Sequence, residues 1–158
     1  MTVLALETSC DESAVALLQG TAAPPRLLAS LISSQIDLHR ATGGVVPEVA
    51  SRNHALRLRP LVEQAVAEAG LPLAEVDAYA ATRGPGLSSS LLVGHTMAKA
   101  LALSSGRPFL SVNHMEGHLL SPFLAATEES IPPHLALVVS GGHTMLVQVE
   151  ALSLIHIS

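Results

Sequence analysis

An α/β fold is predicted by three features of this sequence. Apolar runs of strand length open the chain and recur along it. Between them lie two longer stretches, 47–69 and 88–104, with helical spacing or helix-start signals. Glycine and proline punctuate most of the junctions. At 158 residues the chain suits about one domain, or one lobe of a larger protein. Apolar residues make up 49%, enough for a core, while aromatics are 2% and Trp is absent, so that core must be Ala, Leu and Val. A charged fraction of 13% argues against a disordered chain.

Val3 to Glu7 reads as a buried strand and Ala14 to Leu18 as a second. The small polar link Thr8-Ser9-Cys10-Asp11-Glu12-Ser13 makes them a hairpin. Thr21 to Pro25 is a turn, and Leu27 to Ile36 resumes β character, fraying at Ser33-Ser34-Gln35. After Thr42-Gly43-Gly44, Pro47 suits the first turn of a helix, where a missing N–H costs nothing. Leu58, Leu61, Val62, Ala65, Val66 and Ala69 then form an apolar stripe, and Gly70 stands where a C′ glycine ends a helix. Val76 to Thr82 is a fourth strand, followed by the turn Gly84-Pro85-Gly86. Ser88-Ser89-Ser90 offers N-caps for a helix through Ser104. Gly106-Arg107-Pro108 ends it, Phe109 to Val112 is a fifth strand, and a helix starts near His114.

The order βββαβαβα is the layout of a ribonuclease-H-like lobe, the half-module of actin-like ATPases. Ligands of such sheets bind outside the carboxyl ends of strands. After Ile131-Pro132-Pro133 the opening hairpin is repeated: Leu135 to Val139, a Ser140-Gly141-Gly142-His143-Thr144 turn, and Met145 to Val149. The expected organisation is a lobe over 1–130, the start of a second, truncated lobe over 131–150, and a separate tail over 151–158.

The net charge of −5 excludes a stand-alone nucleic-acid-binding domain, although five of the eight Lys and Arg fall between Arg40 and Arg83 and offer a local RNA contact. A single cysteine, Cys10, forbids an intrachain disulfide and suggests a reducing compartment. The N-terminus has no basic region and reaches Glu7 early, unlike a signal peptide. No apolar run approaches the ~18 residues of a membrane span. A cytoplasmic protein with no membrane association is expected.

The segment Asn113-His114-Met115-Glu116-Gly117-His118 carries most of the chemistry. Histidines at i and i+4 share a helix face and can grip one divalent metal. They can equally be ordinary surface or helix-capping histidines, and two protein ligands are fewer than the three of a catalytic site. The pattern is not the H-E-x-x-H of metalloproteases, because Glu116 falls two positions after His114 and off the ligand face. Two small-residue turns, at 7–12 and 140–144, suit close backbone approach to a phosphate, with Asp11 holding a water or metal. They also suit plain hairpins. The Gly84–Gly86 turn is read as a strand-to-helix junction, and Cys10 as structural, since no base lies near it in sequence.

Six segments together resemble one family: Leu6–Ser13, Gly43–His54, Gly84–Leu87, Leu91–Gly94, Val112–His118 and Val139–Thr144. It is the tRNA N6-adenosine threonylcarbamoyltransferase family, formerly labelled O-sialoglycoprotein endopeptidase or peptidase M22. The resemblance runs from residue 2 to about 149. It implies an actin-like two-lobe fold and one divalent metal, iron or zinc, per subunit. His114 and His118 match the metal ligands, and Val138, Val139, Ser140, Gly141 and Gly142 match a substrate-contacting stretch. The implied reaction moves threonylcarbamoyl from threonylcarbamoyl-AMP to N6 of adenosine 37 in tRNAs reading ANN codons, releasing AMP. Asp11 is the candidate catalytic acid, base or water-positioning residue, and Glu116 is expected outside the metal's direct ligands or facing solvent. The implied partners are tRNA, a paralogous subunit and a small ATPase. Family length places the third metal ligand, an aspartate, beyond this chain, so the chain alone is expected to be inactive. The tail 151–158 does not resemble the family's continuation. The alternatives are a non-catalytic paralogous partner, against which the intact histidine pair argues, and a metalloendopeptidase, against which the position of Glu116 argues.

Overall fold

The computed structural model describes residues 1–20, 24–124, 131–139, 144–151 and 154–157. The first sheet has five strands: β1 (Thr2–Glu7), β2 (Glu12–Gln19), β3 (Arg26–Ser34), β4 (Ala78–Gly84) and β5 (Phe109–Asn113). Their order is β3-β2-β1-β4-β5, with β1 antiparallel to β2 and parallel to β4, and β4 parallel to β5. This is the ribonuclease-H-like arrangement that the strand and helix order predicts.

Register explains the core. Leu4 stands beside Leu17 and Tyr79, and Leu6 beside Val15 and Ala81. All six are buried and face the same pair of helices, α2 (Pro47–Ala69) and α3 (Ser88–Ser105). Period-two alternation on β1 and β2 therefore meets helical periodicity on α2 and α3. The opposite face of the sheet is lined by Ala5, Ala14, Ala16, Ala80 and Val112, with Ile32 left 64% exposed.

The long helix begins with Pro47 at its first turn and ends at Gly70, whose φ of 62° is the left-handed cap a glycine supplies. Its buried row is Ala50, His54, Leu58, Val62 and Ala65, so the apolar stripe seen in sequence continues toward the N-terminus through a histidine. Pro60 lies on the exposed side, where water can take the place of its missing amide bond.

Two local expectations are corrected. The third strand stops at Ser34, where its partner β2 runs out at Glu12, and a short helix α1 (Ile36–Arg40) follows. Gln35 makes that change of direction, donating its amide to the Asp11 carbonyl at 2.9 Å and accepting from the amides of Leu38 and His39. The serines at 88–90 do not cap α3: Leu87 is the N-cap, with no side-chain cap bond. Ser90 is instead fully buried, the first of a row Ser90, Gly94, Ala98 and Ala102 that lets the helix lie close on the sheet.

A second sheet has the order β6-β7-β8, with β6 (His134–Val139), β7 (Thr144–Ala151) and β8 (Leu154–Ile157) all antiparallel. The expected hairpin is present. Residues 154–157 of the tail add the third strand, pairing Val147 with Ile157 and Val149 with Ile155. Val147 and Val149 pack on Leu119 of α4 (His114–Leu120), which ties this sheet to the helix that follows β5. Its other face leaves Leu135, Leu137 and Val139 about two-thirds exposed.

The close approach of α3 to β1 centres on Thr8. Its hydroxyl donates to the Ser90 carbonyl at 2.8 Å and accepts from the Gly94 amide at 3.1 Å, two groups that one helical turn would otherwise pair with each other. A Cβ on Gly94 would lie 2.6 Å from that hydroxyl oxygen. Gly94→Ala is therefore expected to lower stability by ~1–3 kcal/mol, the range for overpacking a tight contact, read as a drop in the urea midpoint at unchanged slope.

Candidate functional site

Because β1, β4 and β5 run parallel, their carboxyl ends emerge along one edge of the sheet. That edge brings Glu7, Thr8 and Ser9 beside the turn at 84–86 and the start of α4. The turn is locked to the hairpin: the Leu87 amide donates to the Ser9 carbonyl at 2.7 Å, and a Cβ on Gly86 would sit 2.6 Å from the same oxygen.

Asn113 caps α4, its Oδ1 accepting from the amides of Met115 at 2.8 Å and Glu116 at 3.4 Å. The cap places His114 at the first helical position and His118 one turn on. Their Nε2 atoms converge to 3.0 Å, with the rings nearly perpendicular at 88°. Two imidazole nitrogens at ~2.05 Å on a tetrahedral metal are roughly 3.3 Å apart, so this pair needs little adjustment to share an ion. His118 is exposed and His114 half-buried, so the pair can be reached from solvent. The donor set fits a borderline cation such as zinc or iron. Among the described residues no cluster of three or more metal-ligating side chains occurs, so the pair supplies two positions of any such shell.

Behind His114 stands a group that sequence spacing does not reveal. Its Nδ1 lies 3.2 Å from Ser9 Oγ and 3.5 Å from Glu7 Oε2. Glu7 is held in turn by the Ser9 amide, at 2.5 Å to Oε1, and by the Thr82 hydroxyl, which donates to Oε2. Glu116 joins the cap only through its backbone amide. The carboxylate beside the pair is thus Glu7, from the far end of the chain.

Under the hairpin lies a second, buried polar group. His54 has no solvent-exposed surface. Its Nδ1 meets Ser13 Oγ at 2.7 Å and Gln35 Nε2 at 3.2 Å, and its Nε2 meets the Cys10 carbonyl at 3.0 Å. It therefore clasps both ends of the link between β1 and β2. Burial, outweighing the opposing pull of the Cys10 carbonyl, Glu7 and Asp11, pushes its pKa down, so the ring is neutral. Partial burial and the adjacent Asp11 carboxylate push the thiol of the exposed Cys10 up, which keeps it a protonated, poor nucleophile.

The remaining sequence candidates are placed as follows. Asp11 lies in the same link, one residue past Cys10; its carbonyl accepts from the Gln35 amide. Val138 packs into the cluster of Leu119, Val147 and Val149, against the histidine helix, whereas Val139 points outward and is 66% exposed. Ser140, Gly141 and Gly142 lie outside the described residues. The structure thus brings the histidine pair, the first hairpin and the strand of Val138 to one region of the molecule. The sequence places Glu7 and Ser9 in a candidate phosphate turn, but it does not reveal that they and Thr82 stand behind His114. His54 was available to sequence reasoning, standing four residues before Leu58 in the buried row.

The tRNA N6-adenosine threonylcarbamoyltransferase family matches residues 26–157 of this chain, a range that includes β8. The chain belongs to that family. A protein of that name from Polaromonas sp. is 54% identical over 151 residues, 95% of this chain and 43% of the relative. One from Synechococcus sp. is 56% identical over 149 residues, 92% of this chain and 40% of the relative. The chain therefore spans less than half the length of these threonylcarbamoyltransferases. Among solved structures, YeaZ from Pseudomonas aeruginosa superposes with a TM-score of 0.64 at 24% identity, covering 99% of this chain and 66% of that one. The Aquifex aeolicus Ppx/GppA phosphatase gives 0.51 at 12% identity, covering 100% and 52%. Both share the actin-like fold. Among the described residues no helix is long and apolar enough to cross a membrane.

The neutral His54 yields a pH prediction for this chain. Its folded pKa lies below the ordinary 6.5, so the unfolded chain binds the extra proton first. Its contribution is present above pH ~6.5 and is lost as pH falls toward the folded value. The urea midpoint should fall between pH 7 and pH 5, and His54→Asn should flatten that slope while lowering the midpoint at pH 7.

Proposed function

We propose that this chain is the amino-terminal part of an enzyme that transfers threonylcarbamoyl from threonylcarbamoyl-AMP to N6 of adenosine 37 in tRNAs reading ANN codons. The observation that carries the reading is the convergence of His114 and His118 Nε2 at the strand edge where this fold binds ligands, in a chain of this family. The lobe comprises residues 1–130, and 131–150 begin a second one.

His114 and His118 would hold one divalent ion, iron or zinc, with a third ligand supplied from outside these residues. On this pair the ion would supply Lewis acidity toward the carbamoyl carbonyl and a hold on the threonyl carboxylate. The chain's own groups do the rest. The hairpin of Ser9 to Asp11 faces the donor's phosphate, Asp11 serves as acid, base or water-positioning group, and Val138 to Gly142 contact substrate. The adenine amine is the nucleophile, consistent with the protonated state of Cys10. With a net charge of −5, the lobe relies on other surfaces for tRNA, and a paralogous subunit and a small ATPase are the proposed partners.

A chimera tests this. The matched segment of the Polaromonas relative is replaced by residues 1–150 of this chain, and threonylcarbamoyl adenosine is measured by mass spectrometry of digested tRNA with partners supplied. The chimera should modify tRNA, and the isolated chain should not. His114→Ala or His118→Ala in the chimera should cut the product at least a hundredfold. A folded chimera without product, or full activity in either histidine variant, would overturn the assignment.

A further inference from the structure

We propose that Glu7, with Ser9, is a positioning residue that fixes His114 as the Nδ1–H tautomer and so aims its Nε2 lone pair toward His118. The inference rests on reading the pair as a metal site, but its physical content can be tested without metal.

An ionised carboxylate only accepts hydrogen bonds. Glu7 Oε2 faces His114 Nδ1 at 3.5 Å, with Ser9 Oγ at 3.2 Å from the same nitrogen. A proton on Nδ1 has Ser9 Oγ within hydrogen-bond distance and the Glu7 carboxylate close by at 3.5 Å, whereas a bare Nδ1 would set a lone pair against that negative charge. The proton therefore belongs on Nδ1, and Nε2, 3.0 Å from its counterpart on His118, is left as an acceptor or ligand.

Glu7 is suited to this work because it cannot turn away. Its Oε1 accepts from the Ser9 amide, and its Oε2 from the Thr82 hydroxyl. Glu7 ends β1, Thr82 belongs to β4 and His114 follows β5, so three neighbouring parallel strands set the spacing. A carboxylate behind a ligating histidine orients the ring and raises its basicity; losing such a partner weakens metal binding about ten- to a hundredfold.

The isosteric variant Glu7→Gln inverts the prediction without changing shape. The Ser9 amide can only donate, so it selects the glutamine oxygen. The Thr82 hydroxyl can rotate to accept, so the NH2 takes the place of Oε2 and donates toward His114 Nδ1. The proton must then move to Nε2.

The experiment uses the metal-free chain with 15N-labelled histidine at mildly alkaline pH. Long-range proton–nitrogen correlation spectra identify the protonated nitrogen, and amide spectra confirm the fold. The wild type should carry the His114 proton on Nδ1, and Glu7→Gln should carry it on Nε2. Chelator competition with Zn2+ should then show about ten- to a hundredfold weaker binding in Glu7→Gln. An Nε2–H form in the wild type, or the same tautomer in both proteins, overturns the proposal even where zinc binds. The predicted tautomer switch in a wild type that binds no zinc upholds the positioning role and removes the metal reading instead.

Discussion

The structure depends on how closely the end of β1 can approach α3. Thr8 reaches into a helical turn whose facing positions, Ser90 and Gly94, are small enough to admit it. The turn at Gly86 then closes on the Ser9 carbonyl with similarly little room. These contacts set the depth at which the first hairpin sits. That depth brings Glu7 and Ser9 within reach of a histidine on the far side of β4. A looser fit would leave the hairpin and α4 as unrelated surface features.

Two polar clusters divide the work around this contact. The outer one links Thr82, Glu7, Ser9 and His114 to an exposed nitrogen pair. The inner one, His54 with Ser13, Gln35 and the Cys10 carbonyl, fixes the base of the hairpin from beneath. A neutral imidazole suits the inner place because it can serve one donor and one acceptor without burying a charge. Asp11, between Cys10 and the strand that follows, inherits its position from both.

Much of this was legible in the sequence. The strand order, the long helix with its Gly70 cap and the i, i+4 histidines all follow from local periodicity and punctuation. What was not legible depends on register between distant segments. Glu7 reads as the last residue of a strand, and nothing within the strand indicates that it will face His114 across two others. The serines at 88–90 look like caps until the sheet buries Ser90. The short helix after Ser34 arises because β2 ends, a fact about pairing and not about residues 36–40. The candidate residues Ser140, Gly141 and Gly142 lie outside the described residues, and of that stretch only Val138 and Val139 are placed.

On the proposed reading, His114 and His118 share one ion through their Nε2 atoms. X-ray absorption at the zinc edge on the zinc-loaded chain tests this most directly. One zinc per chain with two imidazole nitrogens at ~2.0–2.1 Å is expected, with loss of the imidazole signal when both histidines are replaced. A shell without imidazole scattering, or an imidazole signal that survives their replacement, would contradict it.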